Sequence, residues 1–547
     1  MSGRGPRLTR VAAQEYRRLA RSEGMPPATH PEVQRDRDIP VRAHDGAALL
    51  TDHWHAPDAA DSTLLIRTPY GRDGIAGVAK FIAERGHHVI VQSCRGTFGS
   101  EGEFSPLHDE VADGQSTLTW LRAQPWATGR VHTWGGSYFG VTQWALCDGP
   151  DRPDAMGIAV SARRFDDGII YPGGGFAIDT TVAWSFALRM QERPLLARIG
   201  MILRAASALR RGSLTVPPAE AAQAAVGTDP RFFRDWVEHS QRDDPWWEPL
   251  HFAQDLASIP PVALVAGWRD LFLQEQLKDH AALVAGGVPA KLAIGDWLHG
   301  APETSVMGVR DALVSFDSLD RLPDVRIEVT GGIGWRELDS WPPPAESRVW
   351  AATAAGGLRP GAPDERATPL SYRYDPADPT PSEGGRTLGP FASGYRIQRR
   401  REARSDVVLF TSDPLDDDLL IIGEPRVEIT LTSTNPRVDL FVRLCDVDER
   451  GRSRTVTDGY IRRNPEAGTH TVLQLASLAH RFAAGHRLRL QVSSGAHPVY
   501  LRNPGTADPI RDHSRLLPSE QTFDVGGEHA LALHLPAVDG AVLRPMS

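Results

Sequence analysis

The sequence predicts an α/β fold that is interrupted by a helical segment and followed by a β-sandwich. In residues 39–91, strand-like apolar runs flank an amphipathic stretch, which gives the order strand, crossover helix, strand. Residues 176–211 and 218–239 have the apolar spacing of helices. Beyond the prolines of residues 341–344, helical patterns largely stop and apolar residues alternate with polar ones, as in antiparallel sheets.

Strand patterns return after the helical segment, at residues 261–266 and 290–294, so the first sheet is completed only there. We therefore expect a first domain that is discontinuous in sequence. The predicted segments are an N-terminal extension (1–35), a first α/β part (36–165), a helical cap (166–244), a second α/β part (245–345) and a C-terminal β-sandwich (346–547).

Composition and charge exclude several classes of protein. The 547 residues carry a net charge of −9 without a basic cluster interleaved with aromatics, so no nucleic-acid partner is expected. No apolar stretch is long enough to span a bilayer, and the start lacks the apolar core of a secretory signal. We expect a cytoplasmic protein with a small-molecule substrate, no membrane partner and no cofactor. A homo-oligomer stays open.

Metal binding is not predicted from the sequence. His53 and His55 share one face of a strand but lack an evident third ligand, while the adjacent His87 and His88 point to opposite faces. Three widely separated cysteines form no Cys-x-x-Cys pair.

Residues 130–144 read as a strand, a sharp corner and a helix. Gly135 and Gly136 permit a crowded backbone, and Ser137 stands at the corner. The amide of Tyr138 is then at a helix N-terminus, where N–H groups can face a developing oxyanion. The corner is thus a candidate site for a nucleophilic serine.

This motif departs from the general hydrolase pattern Gly-x-Ser-x-Gly. Phe139 occupies the position two after the serine, and the glycine is delayed to Gly140. A serine between glycines also occurs in ordinary turns. The decision therefore rests on the partner residues.

An acid and a histidine follow the serine in the order nucleophile, acid, base. Asp270 comes just after the strand that ends at Ala266, and His299 lies beyond the next strand. His299 would accept the serine proton and Asp270 would fix the imidazole tautomer. Asp296 is a rival acid, but it precedes His299 by only three residues and could cap a turn.

Five motifs follow one another along the chain: Arg-Thr-Pro-Tyr-Gly-Arg (67–72), Cys-Arg-Gly-Thr-Phe-Gly-Ser-Glu-Gly-Glu-Phe (94–104), Gly-Gly-Ser-Tyr-Phe-Gly-Val-Thr-Gln-Trp (135–144), Gly-Trp-Arg-Asp (267–270) and Gly-Asp-Trp-Leu-His (295–299). With these motifs in this order, the chain resembles the CocE/NonD hydrolases, the group that contains bacterial cocaine esterase and is related to X-Pro dipeptidyl-peptidases and α-amino-acid ester hydrolases. The resemblance covers residues 39–547, and the delayed glycine matches the family's own pattern, Gly-x-Ser-Tyr-x-Gly.

The resemblance implies an α/β-hydrolase domain with an inserted helical cap and a C-terminal jelly-roll. It also implies that Tyr70 donates its phenolic O–H to the oxyanion beside the Tyr138 amide. Phe272 and Trp184 are candidates for the wall of an acyl pocket. We read the stretch 95–104 as structural.

The resemblance implies a serine hydrolase that cleaves a carboxylic ester of a small molecule through an acyl-enzyme. The alternative is an amidase or X-Pro dipeptidyl-peptidase with the same three residues. That alternative needs carboxylates for a substrate ammonium, and Asp166, Asp167 and Asp179 are weakly placed for this task. A second rival is an inert hydrolase domain with a carbohydrate-binding β-sandwich, which does not account for the serine, acid and histidine.

Overall fold

The fold was analysed in a computed structural model of the full chain. The structure describes residues 25–546 except positions 58, 60, 61, 128, 242, 364, 365, 392, 464–467, 528 and 529. The predicted extension of residues 1–35 therefore lies mostly outside the described residues, and the first strand begins at Gln34. Within the described part of the chain, every helix is too short or too polar to cross a lipid bilayer.

The first α/β segment alternates strands and helices as the sequence predicts. Its elements are β1 (Gln34–Arg42), β2 (Ala48–His55), β3 (Thr63–Thr68), α1 (Arg72–Ala83), β4 (His88–Ser93), α2 (Glu110–Arg122), β5 (Val131–Gly136), α3 (Tyr138–Trp144) and β6 (Ala155–Ala159).

The helical segment follows, and prolines divide it into separate helices. These are α4 (Ile178–Gln191), α5 (Leu195–Leu214), α6 (Ala221–Val226) and α7 (Arg231–Glu238). Pro194 and Pro230 immediately precede α5 and α7. At the start of a helix an N–H has no intrahelical acceptor, so the N–H that proline lacks is not missed there. The chain then forms β7 (Val262–Arg269), α8 (Leu273–Ala285), β8 (Ala290–Leu298) and α9 (Pro302–Asp317).

Strands β1 to β8 form one sheet in the order β1-β2-β4-β3-β5-β6-β7-β8. The register is antiparallel at β1/β2 and β2/β4, and parallel from β4 through β3, β5 and β6 to β7. Strand β8 follows β7 through α8, the crossover that joins parallel neighbours. Parallel strands deliver their carboxyl ends to one edge, which is where such sheets bind ligands.

Both faces of this sheet are buried, which explains the continuous apolar run of β3. Leu64 and Ile66 pack in one core with residues of α1 and α9, whereas Leu65 packs in a second core with Leu118 and Leu121 of α2. Because side chains alternate along a strand, one run of apolar residues supplies both cores.

The C-terminal part is built of strands, and the predicted fold class is confirmed. Buried Val427, Ile429 and Leu431 alternate with less buried neighbours in one strand, as the period of two predicts. The elements are β9 (Val325–Val329), β10 (Gly334–Leu338), β11 (Glu346–Ala352), β12 (Leu358–Pro360), β13 (Thr368–Tyr374), α10 (Arg399–Glu402), β14 (Val408–Thr411), β15 (Leu419–Gly423), β16 (Arg426–Ser433), β17 (Val438–Val447), β18 (Ser453–Arg463), β19 (His470–Gln474), β20 (Leu478–Phe482), β21 (Arg487–Ser493), β22 (Ser519–Val525) and β23 (Ala532–Ala537).

Two antiparallel sheets share the core of this part. One contains the order β12-β11-β23-β16-β22-β13, and the other has the order β14-β21-β17-β18. Their inner faces contribute to one apolar cluster, which includes Phe410, Leu444 and Leu533. This is the arrangement of a β-sandwich.

The chain divides into two compact units. The first contains the described residues up to Phe165 together with Trp246–Gly267 and Glu275–Asp324, and the second contains Asp166–Pro245, Trp268–Gln274 and Val325–Ser547. The hairpin of β9 and β10 is grouped with the second unit, although the sequence-based limits assign it to the second α/β part. The predicted domain limits stay predictions.

Candidate active site

Ser137 lies between β5 and α3 with a backbone conformation that few non-glycine residues adopt. Its φ is 56° and its ψ is −129°. A non-glycine residue at positive φ is strained, and such strain concentrates at functional sites. The Ser137 N–H donates to the carbonyl of Ala159 at 3.0 Å, and its own carbonyl accepts from the Gly140 N–H at 2.9 Å. The surrounding backbone therefore holds the corner.

The glycines around the corner are required by contact. A Cβ on Gly135 would lie 2.1 Å from the carbonyl oxygen of Phe139, and a Cβ on Gly140 would lie 2.5 Å from the Cβ of Ser161. Both distances are far below van der Waals contact, so a side chain would push helix α3 away. The delayed glycine of the motif is thus the position at which α3 packs against residue 161.

His299 is the residue directly after the last residue of β8, and it reaches Ser137. The distance between His299 Nε2 and Ser137 Oγ is 3.0 Å, which is within hydrogen-bond range for a nucleophile and its base. Both residues are half-buried. Strand β8 runs to Leu298, further than the sequence pattern predicts, so the rival Asp296 lies inside the strand.

Asp270 directly follows β7, as predicted, and belongs to the second compact unit. Its side chain is fully buried, and its Oδ1 accepts the N–H of Phe272 at 2.8 Å. The neighbouring residues are anchored in the same unit: the Trp268 indole N–H donates to the carbonyl of Glu328 at 2.7 Å, and the Arg269 guanidinium lies 3.5 Å from the ring centroid of Tyr395. The segment that carries the carboxylate is thus anchored within its own unit.

Tyr138 is the first residue of α3, where helical N–H groups have no intrahelical acceptor. Its side chain is buried; the phenol donates to Glu110 Oε1 at 3.0 Å and accepts the Leu107 N–H at 2.7 Å. Tyr70 lies on the loop after β3, half-buried, with its ring edge-on to Phe139 at 5.9 Å between centroids. The structure therefore brings Tyr70 against the corner that carries Ser137.

A buried ion pair behind the corner was not predicted from the sequence. Arg67 Nη1 lies 2.9 Å from Glu110 Oε2, and both side chains are almost completely buried. Burial raises the pKa of the Glu110 carboxyl, although Arg67 and the Tyr138 hydroxyl both favour the charged form. The Arg67 carbonyl also accepts the Thr142 hydroxyl at 3.2 Å. The pair ties β3 and α2 to the helix after Ser137.

In the stretch 95–104, Arg95 and Glu101 are bonded to neighbouring segments, as a structural role predicts. Arg95 donates to both carboxylate oxygens of Asp113, at 2.5 and 3.0 Å, and to Asp45 at 2.7 Å. Glu101 Oε2 accepts the N–H of Ala48 at 2.8 Å. These bonds fix the loop after β4 to β2 and α2.

The two pocket candidates lie in the second unit. Phe272 is buried. Trp184 is half-buried in an aromatic cluster of the helical segment, stacked on Trp236 at 5.6 Å and edge-on to Phe232 at 5.2 Å. The contacts of Trp184 are those of packing between α4 and α7, and the pocket role of both residues stays a prediction.

Comparisons with known proteins agree with this fold. Residues 45–301 match the family profile of the X-Pro dipeptidyl-peptidases (S15 family), and residues 318–534 match the profile of the X-Pro dipeptidyl-peptidase C-terminal non-catalytic domain. Cocaine esterase from Rhodococcus sp. (strain MB1 Bresler) is 28% identical over 91% of this chain and 97% of its own length.

Solved structures share the fold at lower identity. An aminopeptidase from a marine sediment archaeon (Thaumarchaeota archaeon) superposes with a TM-score of 0.78 at 20% identity over 94% of this chain and 98% of its own. An α-amino acid ester hydrolase superposes with a TM-score of 0.77 at the same identity and coverage. The two profile matches and the cocaine esterase relative show that the chain is a serine hydrolase with the two domains of the X-Pro dipeptidyl-peptidase (S15) family, in agreement with its resemblance to the CocE/NonD hydrolases.

Proposed function

We propose that this protein hydrolyses a carboxylic ester of a small molecule through an acyl-enzyme on Ser137. The observation that carries the proposal is the 3.0 Å contact between Ser137 Oγ and His299 Nε2 at a strained strand-to-helix corner. A serine hydroxyl is a weak nucleophile unless a base within hydrogen-bond reach removes its proton. His299, from a distant part of the chain, lies within that reach.

In the proposed first step, His299 takes the Ser137 proton while Oγ attacks the ester carbonyl carbon. The carbonyl oxygen becomes an oxyanion, which we assign to the Tyr138 N–H and the Tyr70 hydroxyl. The intermediate collapses when protonated His299 gives its proton to the leaving alkoxide. Water, activated by the same imidazole, then attacks the acyl carbon and frees Ser137.

We assign to Asp270 the role of orienting His299. Burial of a carboxylate costs free energy unless hydrogen-bond donors face it. We therefore expect the fully buried side chain of Asp270 to meet such a donor. A carboxylate opposite the imidazole Nδ1–H would leave Nε2 free to accept the serine proton and would stabilise the imidazolium. The position of Asp270 immediately after β7 supports this assignment.

Two considerations favour an ester over an amide. An alkoxide leaves more easily than an amine, and a peptidase of this type must bind the substrate's N-terminal ammonium. Asp179 is a candidate for that task, but its side chain is buried and already accepts a hydrogen bond from the Thr387 hydroxyl at 2.6 Å. Burial also raises the pKa of the Asp179 carboxyl to about 6, which disfavours the charged form that an ammonium group requires. The profile of the X-Pro dipeptidyl-peptidases and the aminopeptidase superposition keep the amidase or dipeptidyl-peptidase as the alternative.

Purified wild-type protein should hydrolyse short p-nitrophenyl esters faster than X-Pro p-nitroanilides, and a fluorophosphonate probe should label it. Ser137→Ala should lose both activities and the label. Ser116→Ala is the matched control, because Ser116 lies in α2 and its hydroxyl donates to the carbonyl of Ala112. Equal or faster turnover of the anilides would reverse the ester preference, and labelling of Ser137→Ala would refute the nucleophile.

The two candidate acids can be separated by one pair of isosteric variants. Asp270→Asn should lower kcat by about four orders of magnitude, because an amide cannot hold the required imidazole tautomer. Asp296→Asn should retain most of the activity. The measurement is steady-state ester hydrolysis with circular dichroism as the fold control. The reverse order of the two variants would assign the role to Asp296 instead.

Removal of the Tyr70 hydroxyl tests the proposed oxyanion donor. Tyr70→Phe should lower kcat about 100- to 1000-fold with little change in KM, because the donor acts on charge that exists only in the transition state. Tyr372→Phe is the control, since its hydroxyl is bonded to Ser494 inside the β-sandwich. A Tyr70→Phe enzyme with wild-type kcat would remove Tyr70 from the mechanism.

A further inference from the structure

Two histidines and an aspartate converge where β1 pairs with β2. Asp36 is the direct cross-strand partner of His53, and His55 lies on the same face of β2 two residues later. Each of the three can offer one ligand atom, and these atoms all lie within 4.8 Å of one another. The sequence analysis lacked the third ligand because only the strand pairing brings Asp36 beside the two imidazoles.

The backbone of β1 is irregular directly after Asp36. The register of β1 against β2 shifts between Asp36 and Ile39, and Asp38 has a φ of 56°. Asp36 is therefore the last residue of β1 that is paired with β2 before the bulge.

A second histidine contact prepares His53 for binding a metal. His53 Nε2 lies 2.9 Å from His88 Nδ1, and His53 is almost completely buried. If Nε2 carries the proton of this bond, Nδ1 keeps its lone pair for the side of Asp36, 4.0 Å away. Metal-bound histidines usually donate their other ring N–H in this manner, which fixes the tautomer and the ring orientation.

Packing also fixes the orientation of His53. Its ring is stacked on Trp126 with 4.0 Å between centroids, so the imidazole is held in place.

The spacing suits a small four-coordinate ion. Metal–ligand bonds of about 2.0–2.2 Å in a tetrahedron place ligand atoms roughly 3.4 Å apart. Asp36 Oδ2 lies 3.2 Å from His55 Nε2 and 4.0 Å from His53 Nδ1. The Asp36 side chain is 60% exposed, so it can adjust to these bond lengths.

We propose that Asp36, His53 and His55 bind one divalent transition-metal ion of the zinc class and so cross-link β1 to β2. Imidazole nitrogen with a single carboxylate is a ligand set for Zn²⁺, Cu²⁺ or Ni²⁺, whereas Ca²⁺ and Mg²⁺ require oxygen ligands. The competing interpretation is an ion pair between His55 and Asp36 that holds the hairpin without metal.

A matched control lies in the β-sandwich. Asp446 accepts from His480 Nε2 at 3.1 Å and is bonded to His486 Nδ1 at 2.8 Å, but each imidazole meets a different carboxylate oxygen. The cavity at His486 is lined by three arginines and three carboxylates, so its charges are balanced. Among the described residues, the ligand group whose atoms converge within 4.8 Å is that of Asp36, His53 and His55. The second arrangement of two histidines and an aspartate should therefore not bind zinc.

The test is calorimetric titration of tag-free, metal-stripped full-length protein with Zn²⁺ at neutral pH. Wild type should bind one Zn²⁺ per chain. His55→Phe and Asp36→Asn should each weaken binding at least about 100-fold, since loss of a mere outer partner costs about 10- to 100-fold. His486→Phe should bind as wild type. Unchanged circular dichroism spectra show that each variant is folded.

A second readout reports on the ligands themselves. Co²⁺ bound in place of Zn²⁺ should give visible absorption bands in wild type and in His486→Phe, and these bands should be absent in His55→Phe. The proposal is overturned if wild type binds no Zn²⁺, if both His55→Phe and Asp36→Asn bind as wild type, or if binding is lost in His486→Phe. These outcomes do not depend on the proposed esterase activity.

Discussion

The candidate site depends on one hydrogen bond between side chains that are 162 residues apart in the chain, Ser137 Oγ and His299 Nε2, at 3.0 Å. A displacement of about 1 Å at either end is enough to cost much of the activity of such a pair. The sheet meets this demand because β5 and β8 belong to one sheet and each ends immediately before its residue. The precision of the site is therefore a property of the sheet rather than of flexible loops.

The strain at Ser137 is held by contacts on both sides of the corner. Gly135 and Gly140 allow α3 to approach the backbone of β5 and residue 161, where side chains would collide. Behind them, the buried pair of Arg67 and Glu110 bonds to Tyr138 and Thr142. Removal of one partner would leave a buried charge without compensation, which typically costs about 3–5 kcal/mol. A buried polar network behind the corner thus supports the serine.

Much of the fold and of the candidate site could be predicted from the sequence, because periodicity and motifs are local signals. The alternation of β16, the strand-corner-helix at Ser137 and the order of serine, acid and histidine are all read from short windows. Glu110 could not be found in this way, since its partners Arg67 and Tyr138 are brought together only by folding. Asp36 was missed for the same reason: strand pairing, and not sequence spacing, places it beside His53.

The central claim is that Ser137 carries the acyl group during turnover. The most direct measurement is rapid acid quenching of the wild-type enzyme with a slowly hydrolysed p-nitrophenyl ester, followed by mass spectrometry of the tryptic peptide that contains residues 131–163. The account predicts a burst of p-nitrophenol of about one equivalent and an acyl mass increment that fragmentation assigns to Ser137. Turnover without a burst and without an adduct, or an adduct on another residue, would contradict it.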